Sequence, residues 1–244
     1  MKSIHAVWER ENIGAETYEL YMDAGDTIEM LAAEEQRLVK SGAQYIVVKT
    51  PVNCPQFLFQ LPQMGYTFVE MVFRIMVRRE EYHMPDVIAR FDRGLTVVER
   101  TQEQDRERIY DLVRKGVFIS DRVSIDPAFG LEKGGNRYAC WLQKMVENGG
   151  FLYEVLSGER PIGFFVVVRK DDTTVDPVLM GMYDEQRDRG LGTLLHKKTL
   201  DTCFTHDCKK VTSTFVSNNS KVLHVYVNAG ASITDTLYTY VKHV

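Results

Sequence analysis

The 244-residue sequence predicts a mixed α/β (α+β) protein: a central sheet flanked by helices and divided into two unequal halves. Three observations predict it. Segments of helical and strand periodicity alternate along most of the chain. Glycine, proline and polar turn residues separate them at short intervals. A helix–glycine–strand phrase occurs twice, as "LPQMGYTFVEMVFRIMV" at 61–77 and "YVNAGASITDTLYTYV" at 226–241: either two unrelated units of a common kind, or an internal duplication whose first copy is degenerate.

The elements follow in order. Ile28, Leu31, Ala32 and Leu38 form a helical stripe, with Asp26 or Thr27 as N-cap and Gly42 as stop. "AQYIVVK" (43–49) is short and β-branched, a strand. A brief helix follows, limited by Pro62, then a long strand over 66–77. The charged stretch 80–93, with Pro85 and Gly94 as breakers, reads as a linker between an N-terminal domain (1–85) and a larger domain (95–244).

The second half opens with the strand "GLTVVERT" and a helix capped near Thr101. Residues 118–135, holding Pro127, Gly130, Gly134 and Gly135, read as an irregular binding loop. A helix from "RYACWLQ" to Gly149, a hairpin turning at Ser157–Gly158, and the strand "PVLMGMY" come next. After the loop "DEQRDRGLG" there is a helix to Thr205, the strand "KKVTSTFVSNN", the helix "SKVLHVYVNAG" and a closing strand.

Composition narrows the function classes. The chain is 44% hydrophobic and carries a formal charge of −4, with no basic tract that would suggest nucleic acid. Its start, "MKSIHAVWERE", is charged early and lacks the apolar run of a secretory leader. The most apolar run, "GFFVVV" at 163–168, is too short to span a membrane. Cys54, Cys140, Cys203 and Cys208 have no zinc-site spacing and read as reduced thiols. The expectation is a cytoplasmic protein without metal, membrane or nucleic-acid partner; a homodimer stays open.

One loop carries chemistry. Arg187, Gly190 and Gly192 stand in the spacing R-x-x-G-x-G between a strand and an amphipathic helix. Glycines admit close backbone approach, and successive amides with a helix N-terminus form an anion nest. Arg187 and Arg189 add positive charge, which suits a pyrophosphate. The pattern lacks the first glycine of the dinucleotide fingerprint and the Gly-Lys-Ser/Thr of a P-loop.

The longer phrase "MYDEQRDRGLGTLL" resembles motif A of the GNAT superfamily of acetyl-CoA-dependent N-acetyltransferases, with Asp184 where the family has proline. "NSKVLHVYVNAGA" is similar to its N-x-x-A-x-x-L-Y-x-x-x-G motif through Asn219, Tyr226 and Gly230. The resemblance implies a mixed, mostly antiparallel sheet. It also implies that acetyl-CoA is held by Met182, Tyr183, Arg187, Asp188, Arg189, Gly190, Leu191, Gly192, Thr193 and Asn219. Tyr226 would be the general acid, and the amine would attack the thioester directly.

Within the superfamily, the tail, "WERENIG", "LPQMGYTFVEMVFRI" and "RYACWLQ" look like the bacterial dTDP-fucosamine acetyltransferases. That likeness implies a small-molecule acceptor, the amine of a nucleotide-linked sugar. Arg122, Arg137 and Tyr138 are candidates for phosphate contact and stacking. Glu154, Asp126, Asp121, His196 and His224 are base candidates by region alone. Two other readings stand beside this one: acetylation of a peptide N-terminus, amino acid or polyamine, and an acyl-CoA-binding sensor without turnover.

Overall fold

The computed structural model describes residues 1–183, 190–205 and 207–244. Ten strands form one sheet in the order β1-β2-β3-β10-β4-β9-β8-β7-β6-β5. They are β1 (Lys2–His5), β2 (Thr17–Tyr21), β3 (Tyr45–Pro51), β4 (Thr67–Arg78), β5 (Leu95–Glu99), β6 (Phe151–Ser157), β7 (Arg160–Arg169), β8 (Thr174–Met182), β9 (Lys210–Val216) and β10 (Ser232–His243). Among the described residues eight α-helices flank them: α1 (Val7–Ile13), α2 (Ile28–Lys40), α3 (Gln56–Gln63), α4 (Asp86–Phe91), α5 (Glu103–Arg114), α6 (Gly130–Glu147), α7 (Gly192–Thr205) and α8 (Ser220–Asn228).

Strand alternation assigns the two faces of the larger half. Phe164 and Val166 pack with Ile109 and Val113 of α5 and Ala139 and Leu142 of α6. Their neighbours Phe165 and Val167 turn to the other face, with Leu194, Leu195 and Leu200 of α7 and Tyr226 of α8. In the first half, Leu20, Ile46 and Val48 pack with Leu31 and Leu38 of α2 and Phe57 and Leu61 of α3. Ile13 of α1 joins Tyr45 and Val47.

The sheet is built twice over. Read inward from one edge, β1, β2, β3 and β10 pair antiparallel, parallel, antiparallel. From the other side, β7, β8, β9 and β4 pair in the same sequence. Matching elements have matching lengths: β3 and β9 have seven residues each, and β4 and β10 twelve each. Gly65 before β4 and Gly230 before β10 both have positive φ, +85° and +83°. The two central strands pair reciprocally, Ser232 with Met76 and Thr67 with Val241. The duplicated phrase in the sequence is thus α3–β4 and α8–β10. Each half inserts its last strand between the last two strands of the other.

Some elements differ from the sequence reading. Helix α6 begins at Gly130, not near Arg137, so Gly134 and Gly135 lie inside it. A Cβ on Gly135 would stand 2.2 Å from the Arg114 carbonyl oxygen, and one on Gly134 2.1 Å from Ser124 Oγ. These glycines let α6 press against its neighbours; they do not break it. Thr27 is the N-cap of α2, accepting from Met30 N–H, whereas Asp26 bonds the chain's own amino terminus. Pro62 stands in the last turn of α3. The linker carries α4 and a 3-10 turn, Asp92–Gly94. No helix among the described residues is long and apolar enough to cross a membrane, and the four cysteines are free.

Candidate active site

The parallel partners β8 and β9 meet only at Thr174↔Lys210 and Val175↔Val211. Beyond Val175 they part. Their counterparts in the first half, β2 and β3, stay paired from Thr17↔Tyr45 to Tyr21↔Lys49. A gap between strands leaves backbone N–H and C=O groups without ladder partners along its edges, and these can serve a ligand. Among the described residues only the second half has one.

Two cavities meet at this gap. The first, about 660 Å³, lies at the N-terminus of α7 and is lined by Met180–Met182 of β8, Gly190–Thr193, His196, and Asn219 and Val222 of α8. The earliest intrahelical bond of α7 runs from Leu195 N–H to Leu191 C=O. Among the described residues the amides of 192–194 therefore precede the ladder, as helix geometry requires, and can serve an anion. Gly190 has φ +74° and open space where a Cβ would be. Met182, Leu191 and Thr193 line the same wall. Arg187, Asp188 and Arg189, the charged part of the predicted loop, lie outside the described residues. Asn219 is the N-cap residue of α8, but its side chain makes no capping bond, so it is not spent on the helix.

Tyr183 is placed elsewhere. It does not line the cavity: its N–H bonds the Ile162 carbonyl, and its hydroxyl donates to Glu154 at 2.6 Å. Glu154, a regional base candidate, is fully buried and accepts from Arg100 and Arg108 as well. Burial raises its pKa, but Tyr183 and the two arginines more than offset this and hold it below the usual range. This cluster clamps β6 and α5 to the end of β8.

The second cavity, about 460 Å³, opens toward the first half. Glu19, Lys49, Glu70 and Val72 line it from that half; Arg122, Arg137, Tyr138, Trp141, Asp176, Ser213 and Tyr226 line it from the other. His196, Asn219 and Val222 belong to both cavities and mark their junction. Tyr226 is buried, with its ring stacked on Phe215 and its hydroxyl near Ser213. Burial pushes that hydroxyl well above its ordinary pKa, so it holds its proton.

Arg122, Arg137 and Tyr138 do reach this cavity, but the arginines are already engaged. Arg122 Nη2 donates to Glu9 at 3.0 Å and Glu19 at 2.9 Å. Arg137 Nε donates to both oxygens of Glu9, at 2.8 and 2.9 Å. Tyr138 stacks on Phe118. Asp121 accepts from Val123 N–H and Ser124. Asp126 accepts from Ala128 N–H and pairs with His243. His224 lines only the first cavity.

Glu70 is the residue that sequence reasoning missed. It is buried on β4, and its Oε2 has no hydrogen-bond partner among the described residues. Burial and the nearby Asp121 push its pKa up to about 7, against the opposing pull of Arg122, Lys49 and Arg137. A carboxyl group poised there can accept a proton near neutral pH. The signal was a lone acid inside the apolar strand "FVEMVF".

Residues 121–231 match the acetyltransferase (GNAT) family. The fold has solved relatives of the same kind. A tandem GNAT protein from the clavulanic acid biosynthesis pathway shares 14% identity with a TM-score of 0.58, over 94% of this chain and 76% of that one. The chain adopts a GNAT-like fold. A GCN5-related N-acetyltransferase from Sphaerobacter thermophilus shares 12% identity (TM-score 0.63), covering 99% of this chain and 76% of its own. The glucosamine N-acetyltransferase region of a fungal multi-domain β-N-acetylglucosaminidase shares 13% (TM-score 0.65), over 90% of this chain and 28% of the larger one. No curated protein matches the chain. At such identities the likeness is one of fold; acceptors vary widely on this scaffold. In the GNAT-like fold seen here, the tandem relative agrees with the two-half sheet.

Proposed function

We propose that the protein is an acetyl-CoA-dependent N-acetyltransferase acting on the primary amine of a nucleotide-linked amino sugar. The observation that carries the acetyl-transfer reading is the parting of β8 from β9 beyond Val175, with one cavity on the anion-binding helix and a second against it. The open, Cβ-free approach at Gly190 and the unspent amides of 192–194 fit a pyrophosphate. The nucleotide-sugar acceptor rests on the C-terminal likeness and on a second cavity walled by both halves.

Acetyl-CoA supplies the acetyl group as an activated thioester. Met182, Gly190–Thr193 and Asn219 hold its carrier portion, with Arg187, Asp188 and Arg189 contributing from the loop. The acceptor enters the second cavity as an ammonium ion, and Glu70 takes one proton from it. Backbone N–H groups of β8 past the parting receive the negative charge that develops on the carbonyl oxygen. The neutral amine forms the C–N bond as the C–S bond breaks; Tyr226, kept protonated by burial, delivers a proton to the departing sulfur, and the second proton lost from the amine nitrogen restores it.

The test is thiol release from acetyl-CoA against a panel of acceptors, with thermal shift in parallel. A dTDP-linked amino sugar is expected to trigger release, and dTDP at 100 times its Kd to add about 2.7 kcal/mol of stability. Release with peptides or polyamines, and no protection by any nucleotide, would leave the acetyltransferase and remove the sugar-nucleotide acceptor. Binding of acetyl-CoA with no turnover on any amine would favour a sensor.

A further inference from the structure

Glu70 and Arg122 line the same cavity, yet they do not bond. Glu70 Oε2 and Arg122 Nε are both buried without partners, an acceptor and a donor left over in one place. An arginine free to choose would pair with such a carboxylate and hold it ionised. Arg122 is not free. Its Nη2 is held by two carboxylates of the first half, Glu9 from α1 and Glu19 from β2. Glu9 is itself gripped by Arg137, and Glu19 by Lys49 at 2.9 Å and the Tyr21 hydroxyl at 3.1 Å.

We propose that Glu19 is a positioning residue: together with Glu9 it holds the Arg122 guanidinium away from Glu70, so that Glu70 stays available as the proton acceptor of the incoming amine. The proposal rests on the reading of Glu70 given above and assigns the first half a task in the chemistry, beyond walling the cavity. Glu19 is suited to it. Burial raises its pKa, but Arg122 and Lys49 outweigh that and hold it down to about 2, so its charge persists at every working pH. The other groups facing Glu70 are Lys49 of β3, Asp121 beside Arg122, and Arg137 of α6. Asp176 of β8, Lys170, His196 of α7 and Tyr226 of α8 complete the cavity wall. Ser213 of β9 and Thr239, opposite Glu70 on β10, carry no charge.

The experiment follows Glu70 itself by carboxyl carbon NMR against pH, in the full chain without acetyl-CoA. The Glu70→Gln variant identifies the signal. The wild-type midpoint is expected near the value of about 7 given above. In Glu19→Gln, Arg122 is released toward Glu70, and the midpoint should fall by about one unit or more. Glu9→Gln, whose charge lies behind the cavity wall, should lower it too.

Removing the Glu19 charge also acts through space, so Arg122→Gln supplies the control. In that background Glu19→Gln should shift the midpoint by less than half as much. Should Arg122→Gln not fold, Glu9→Gln decides alone. An unmoved midpoint in both single variants overturns the proposal, as does an equal shift with and without Arg122. The acid limb of kcat/KM should follow the NMR midpoint. If the midpoint moves as expected and the acid limb does not, the positioning of Arg122 stands and the catalytic reading of Glu70 falls.

Discussion

His196 meets the Tyr226 ring edge to face, with centroids 5.4 Å apart and planes 82° apart, where the two cavities join. The histidine is buried, and its Nδ1 has no partner among the described residues. Burial lowers its pKa from 6.5 to about 4, so it packs as a neutral ring. Unfolded chains take up a proton on this residue between those values and the native chain does not. The native state therefore loses stability as pH falls from 6.5 toward 4, by on the order of 3 kcal/mol. His196→Met should flatten this stretch of a urea-denaturation pH series. An unchanged slope would mean the ring is protonated in the native state.

Tyr226→Phe keeps the ring against His196 and Phe215 and removes only the hydroxyl. Stability should fall by no more than about 1 kcal/mol, since the hydroxyl's polar neighbour among the described residues is Ser213. Turnover should fall roughly 10²–10⁴-fold with little change in KM for acetyl-CoA. Steady-state kinetics with a competent acceptor measure this. Normal turnover in the folded variant would place the proton donor elsewhere.

Glu70→Gln should separate stability from activity. The native carboxyl group keeps its proton up to about pH 7, whereas the unfolded one loses it near 4.5. Ionising Glu70 thus costs native stability as pH rises through this window, by about 3 kcal/mol at most. The glutamine variant should be more stable than wild type at pH 8.5, equal to it at pH 4, and slow in acetyl transfer throughout. A variant less stable at pH 8.5 would show that the carboxylate is well solvated or paired.

Gly190→Val puts a branched side chain at φ +74°, where the left-handed conformation costs an L residue about 1–2 kcal/mol. Nothing among the described residues obstructs the new Cβ, so the fold should persist. The obstruction falls on the ligand. Calorimetric titration should show acetyl-CoA affinity lowered about tenfold or more. Undiminished affinity in a folded variant would remove Gly190 from the binding loop.

A fragment of residues 95–244 should not fold alone. It retains β9 and β10 but lacks β4, the strand that lies between them, and β3, which pairs with the other edge of β10. Circular dichroism and size-exclusion chromatography should show an aggregating chain without cooperative unfolding, rescued by co-expression with residues 1–94. A monomeric fragment with a sharp melt would mean that β10 can bond β9 directly.

The second half was the more legible in sequence because its site depends on local requirements. The glycines at 190 and 192 stand at fixed spacing before a helix, a local pattern, and both line the first cavity at the N-terminus of α7. The duplicated phrase was legible for the same reason, since Gly65 and Gly230 each end a helix at positive φ. What depended on tertiary contact was not. Gly134 and Gly135 looked like breakers because the Arg114 carbonyl and Ser124 that crowd them are distant in sequence. Arg122 and Arg137 suggested a free anion site, and only the fold brings Glu9 and Glu19 to them. Glu70 had no local mark beyond its apolar neighbours, because its environment is assembled from β2, β3, α6 and the segment before α6. The interleaving of the halves has no local signal either.

That interleaving bears on how the chain is made. β10 is synthesised after every other strand of the sheet, yet it lies between β3 and β4 and is the hydrogen-bonded link between their strand sets. Until it arrives, a nascent chain holds two partial sheets, each with an open edge that could pair with another chain. Loss of Ser232–His243 therefore removes a keystone, not a fringe. It should send the product to quality control even though Tyr226 and the segment proposed to hold acetyl-CoA are already synthesised.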